Sequence, residues 1–168
     1  MALSMYDISV PVFTRGLGQL LHLFDKSLAH AKANGIDTAT LVDARLAPDM
    51  LTLAGQVQRA SDASKLGAAR IAGITAPSFP DEEKTWDDLV ARIRKTQDFL
   101  ATIDRALIDG QEERPVTIKQ REGEAHFTAQ RYLLQFALPN FFFHVTTAYD
   151  VLRHSGMPIG KLDYLGKF

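Results

Sequence analysis

Apolar residues recur with the period of a helix over three long stretches of this chain. Over roughly Val10 to Ala33, the positions Phe13, Leu17, Leu20, Phe24, Leu28 and Ala31 step by 4, 3, 4, 4 and 3, which is one face of a helix. Pro11 falls in the first turn, where its missing N–H costs nothing. Asn34-Gly35 ends the stretch, because glycine enters the left-handed C-cap conformation cheaply. Asp37 to Ala47 reads as a connector with short helical potential. A second helix is expected from Pro48 to Ala72, with Met50, Leu53, Val57, Ala60, Ser64, Ala68 and Ile71 inward. Its small residues, among them Gly55, Ala60, Gly67 and Ala68, admit a close neighbour. After a loop holding Pro77 and Pro80, a third helix is expected from Lys84 to Leu107, lined by Trp86, Leu89, Val90, Ile93, Leu100, Ile103 and Leu107.

The period changes over Gln111 to Thr128. Val116, Ile118, His126 and Thr128 alternate around Arg121-Glu122-Gly123, so a short β-hairpin or a polar loop is expected there. A helical piece near Ala129–Phe136 then precedes a last helix from Pro139 to His154, ended by Gly156 and Pro158. The tail from Met157 to Phe168 is too apolar for a loose end and is expected to pack back. The pattern predicts an all-α, four-helix bundle with an irregular or hairpin insert before the last helix, as one domain over 1–168. Short connectors between the first three helices predict antiparallel neighbours.

Composition narrows the function classes. The 19 basic and 20 acidic residues give a net charge of −1, without a basic stripe, so no nucleic-acid partner is expected. There is no cysteine, which removes disulfides, thiolate zinc sites and cysteine nucleophiles. No apolar run is long enough for a membrane span, and Met1 to Val10 does not read as a signal peptide. A cytoplasmic location is expected.

Candidate chemistry is sparse. No two of the five histidines stand three or four residues apart, the spacing by which a helix chelates a metal. His144 is the best single candidate, sitting mid-helix after Phe141-Phe142-Phe143; it is either a hydrogen-bonded core residue or a ligand or acid–base group in a bundle pocket. His22, beside the first stripe, is the weaker candidate, and His126 and His154 read as surface residues. Gln56, Gln58, Arg59, Asp62 and Lys65 read as a solvated face with local ion pairs, or with Gln56 pointing at a pocket opposite His144. Asp150 and Arg153 are spaced to pair, with Tyr149 beside them; Lys161, Asp163 and Tyr164 can tether the tail over that end. The pocket candidates are therefore His144, Gln56, His22, Tyr149 and Arg153, and no catalytic residue is legible. The three phenylalanines sweep about 200° of one helix, so the tail, the insert or a second copy of the chain must cover some of them. A homodimer is expected.

The run Leu138-Pro139-Asn140-Phe141-Phe142-Phe143-His144-Val145-Thr146-Thr147-Ala148-Tyr149-Asp150-Val151-Leu152-Arg153, with Gly156, Gly160-Lys161 and Asp163-Tyr164 after it, resembles the C-terminal signature of an uncharacterised family. The opening Met5-Tyr6-Asp7-Ile8-Ser9-Val10-Pro11-Val12-Phe13 and Pro48-Asp49-Met50 resemble it too. It is the domain-of-unknown-function family numbered nineteen ninety-three, which resembles a branch of the DinB/YfiT-like superfamily. The resemblance implies a four-helix bundle, often dimeric. In many members a divalent metal sits between one histidine of helix two and a His-x-x-x-His pair of the last helix, and some members are thiol-dependent transferases or isomerases. Carried over, His144 matches the first histidine of the pair, the second falls on Ala148, and the helix-two position falls near Gln56. Three functions follow as expectations: a bundle with a degraded metal site that binds a small molecule or acts as an accessory protein; a metal-dependent transferase or hydrolase rearranged around His144; or a dimeric interaction module. No metal is expected, although the resemblance admits a divalent one.

Overall fold

The computed structural model describes residues 3–166, so Met1 and Phe168 lie outside the described residues. The long helices are α1 (Val10–Asn34), α3 (Leu53–Ala72), α4 (Trp86–Ala101) and α6 (Leu138–His154), with α2 (Thr38–Val42) a short turn of helix between the first two. Strands β1 (Pro115–Gln120) and β2 (Gly123–Thr128) precede α5 (Ala129–Tyr132), and α7 (Lys161–Leu165) closes the tail. This is the mostly helical bundle with a hairpin insert that the periodicity predicts.

Local chemistry sets the helix ends. α1 stops where Gly35 takes φ +66°, as the Asn-Gly signal requires. α3 starts five residues later than Pro48 suggests. Thr52 is its N-cap, with the hydroxyl accepting from the Gly55 N–H at 3.2 Å, and Met50 is left outside the helix. α4 opens on a reciprocal cap: Thr85 accepts from the Asp88 N–H at 3.2 Å, and Asp88 accepts from the Thr85 N–H at 2.9 Å. It ends at Ala101, short of the predicted Leu107. The next turn is a 3₁₀ piece, Arg105–Leu107, capped by Asp104, and Leu107 is exposed rather than inward.

The bundle runs in the ring order α1, α4, α3, α6. Trp86 packs on Phe24 while Gln97 reaches the Thr14 carbonyl, so α4 is antiparallel to α1. α3 and α4, however, run the same way, against the antiparallel expectation. Glu83 bonds Gln58, Thr96 meets Ser61, and Arg114 bridges the carbonyls of Ile71 and Leu107. The loop between them is long enough to return along the bundle, which a tight turn could not do.

In the hairpin, Val116 pairs with Phe127 and Ile118 with Ala125, and Val116 and Ile118 are buried against the helices. α5 passes into α6 through a π turn, Leu133–Ala137. Pro139 follows it and has no N–H to return to the carbonyl of residue 135, a lapse in the α-helical ladder that a wider turn accommodates. Of the three phenylalanines, only Phe141 reaches the core. Its ring meets Phe13 edge-on at 5.1 Å, over the bare Cα of Gly16, where a Cβ would stand 2.5 Å from Phe141 Cε1. The tail does pack back: Met157 and Ile159 are buried, and Asp163 takes both Lys26 and His22 of α1. Among the described residues, no helix is long and apolar enough to cross a membrane.

Candidate functional site

The site begins with one glutamine. Gln56 lies in the second turn of α3 with only 2% of its surface exposed. Its Nε2 donates to the Leu51 carbonyl at 3.3 Å. A carbonyl only accepts, so the amide is held with its oxygen turned to α6. There Oε1 meets His144 Nδ1 at 2.8 Å. The amide oxygen only accepts as well, so Nδ1 carries the proton and Nε2 keeps its lone pair. Burial, and then the Arg59 guanidinium, push the half-buried imidazole below its ordinary 6.5. At neutral pH it is a neutral ring, available through Nε2 as a hydrogen-bond acceptor or a base.

Beside this pair, a cavity of about 230 Å³ opens between α3, the π turn and β1. Arg59 and Asn140, one turn along α3 and one turn back on α6 from the pair, both line it. A third group of residues lies under the loop before α4. Arg92 has a side chain only 1% exposed and pairs with Asp62 at 3.1 Å and Glu83 at 2.9 Å. It also donates to Ser61 and to the Pro80 carbonyl. Lys65, itself buried, pairs with Asp62 at 3.0 Å, and the Phe79 ring lies among Lys65, Lys95 and Arg92. Burial raises the Glu83 carboxyl, but hydrogen bonds from Arg92 and Gln58 outweigh it and hold the group below the usual carboxylate range. The solvated face expected on α3 is therefore buried in part, with Arg59 as its outer member, bound to Asp81.

The sequence pattern of the family described as "Domain of unknown function (DUF1993)" matches residues 5–165. The chain belongs to that family. The DUF1993 fold is also similar to the crystal structure of a DinB family member protein from Shewanella denitrificans. The TM-score is 0.90 at 36% identity, over 98% of this chain and 93% of that one. No curated protein gives a significant match.

The superfamily's metal does not fit the residues of this DUF1993 chain. His144 presents Nδ1–H to Gln56, and the position one turn on is Ala148, a fully buried methyl. The described residues contain no group of three or more His, Cys, Asp or Glu placed to hold a metal ion. An amide oxygen that is itself accepting a hydrogen bond is a poor partner for a borderline-soft cation.

The remaining candidates lie elsewhere. His22 is exposed and stands 3.4 Å from Asp163 of α7. Tyr149 packs on Tyr164, whose hydroxyl bonds Thr146 at 2.9 Å. Arg153 reaches the Met157 carbonyl rather than Asp150. These residues fasten the tail, and of the five candidates the structure brings only Gln56 to His144. Arg92 and Tyr132 were missed by the sequence reasoning. The one available signal for Arg92 was its place three residues after Leu89 and four before Thr96, the spacing of a shared helix face.

Proposed function

We propose that this DUF1993 protein is a small-molecule-binding bundle that works at the α3–α6 site without a metal. The hydrogen bond between His144 Nδ1 and Gln56 Oε1 carries the reading. By the resemblance it falls at or near positions that hold metal in many members, and it leaves His144 Nε2 unprotonated. A ligand that donates a hydrogen bond to His144 suits this geometry, because the neutral ring accepts at Nε2. After dialysis against a chelator and then excess zinc, less than a tenth of an equivalent is expected to remain, because one histidine holds zinc only weakly. Stoichiometric zinc that disappears in His144→Ala would overturn the reading.

A second reading, compatible with the first, is pairing of two copies through the aromatic part of α6. Phe143 is 57% exposed, and Phe142, Phe136 and Leu134 add apolar surface nearby. Each ring buried in a symmetric contact gains roughly 1.5–3 kcal/mol. Light scattering at micromolar concentration is expected to give twice the 18.6 kDa chain mass. A mass of one chain would remove this reading.

A further inference from the structure

The cavity beside His144 has a lopsided charge. Arg59, Arg70 and Lys119 line it, and Asp62 is the one carboxylate among them. Asp62 is already shared between Lys65 at 3.0 Å, Arg92 at 3.1 Å and Arg59 at 3.7 Å. Arg59 has Asp81 as well. Arg70 is different. Among the described residues it has no carboxylate in ion-pair reach; its Nη1 donates to the Tyr132 hydroxyl at 2.8 Å, and its guanidinium stands 5.7 Å from the Tyr132 ring. Lys119, across from Glu124 in the hairpin, forms no ion pair among the described residues either.

Tyr132 sharpens the point. It is 1% exposed, and burial pushes its phenol up, so it keeps its proton at neutral pH. Its oxygen accepts from Arg70, and nothing among the described residues accepts its own O–H. The Asn140 side chain, on the same wall, likewise has no partner among them. A guanidinium, a buried phenol, an amide and an ammonium therefore converge on one small space with donors to spare. Of these only Tyr132 is buried, and a buried donor left unmade costs about 1–3 kcal/mol. An oxyanion satisfies several at once with charge-assisted bonds. The π turn that shapes the wall, bringing Tyr132, Phe136 and Ala137 to it, is a device often found at binding sites.

We infer that this cavity takes the oxyanion of a small acid, a carboxylate or a phosphate, with Arg70 as the main partner and Tyr132, Asn140 and Lys119 around it. The inference rests on the ligand-binding reading above and gives the ligand its class. The volume of about 230 Å³ is below the roughly 300–1,000 Å³ of drug-sized sites, so the acid is short, with its apolar part against Leu66, Ile118 and Phe136.

Calorimetry on the full chain at low salt, with inorganic phosphate and with benzoate, tests this and separates the two oxyanions. One of them is expected to bind one-to-one. Arg70→Gln, which retains a donor for Tyr132, is expected to weaken it by about tenfold or more. Lys119→Ala, at an exposed side chain of β1, weakens it less. Arg94→Gln removes an equal charge from the exposed side of α4 and leaves it unchanged. Absence of binding by either anion up to about 10 mM, or binding indifferent to both Arg70→Gln and Lys119→Ala, overturns the inference. If binding depends on Arg70 but is indifferent to His144→Ala, the oxyanion site stands and the ligand-binding role given to His144 fails.

Discussion

Arg92→Ala is expected to lower the stability of the bundle by about 3–5 kcal/mol. The native guanidinium is fully enclosed and feeds Asp62, Glu83, Ser61 and the Pro80 carbonyl. Its removal leaves Glu83, mostly covered, with its charge uncompensated, takes one of three cations from Asp62, and opens a space beneath Phe79. It also unfastens the loop that carries the chain back along the bundle between α3 and α4. Guanidinium unfolding measures the loss, and a chain of this size should melt about 10 °C lower. A loss under 1 kcal/mol would mean that the carboxylates find water without cost and that the cluster is ornamental.

Phe141→Ala should cost a similar amount, about 3–5 kcal/mol. The ring is fully buried, set edge-on to Phe13 and seated on Gly16. Phe143→Ala, at 57% exposure, is expected to cost under about 1 kcal/mol in the separated chain and to act on self-association instead. Urea unfolding of both variants, with light scattering alongside, separates the two roles. Equal losses would contradict the assignment of one ring to the core and the other to the surface.

The helical stripes were legible because burial imposes a period on the residues themselves. Phe13, Leu17, Leu20 and Phe24 are all fully buried, as their spacing required. α3 starts beyond Pro48 because Pro48 and Thr52 both signal a helix N-terminus, and the hydroxyl cap prevails. Spacing could not say which phenylalanine enters the core. That is decided by Gly16, on a different helix, which leaves room for one ring only. The parallel course of α3 and α4 was hidden for a related reason: it is fixed by a hydrogen bond from Gln58 to the loop and by ion pairs of Arg59 and Arg92 with it, and such contacts have no signature in one dimension. At the site, the Gln56–His144 pairing was open as one of two readings. Tyr132 and Arg70 were invisible, because a phenol and a guanidinium become a site only when the π turn and the hairpin bring them together.

The most direct test of a metal-free α3–α6 site is ¹⁵N NMR of the His144 ring across pH, with and without one equivalent of zinc. The native state holds this imidazole neutral, so between its depressed midpoint and 6.5 it binds fewer protons than the unfolded chain. His144's contribution to stability therefore rises with pH through that window and is lost as pH falls through it. The expected result is a neutral ring protonated at Nδ1 at neutral pH, a midpoint below 6.5, and nitrogen shifts that zinc leaves in place. A midpoint at or above 6.5, a proton on Nε2, or a stoichiometric zinc-induced shift would contradict it.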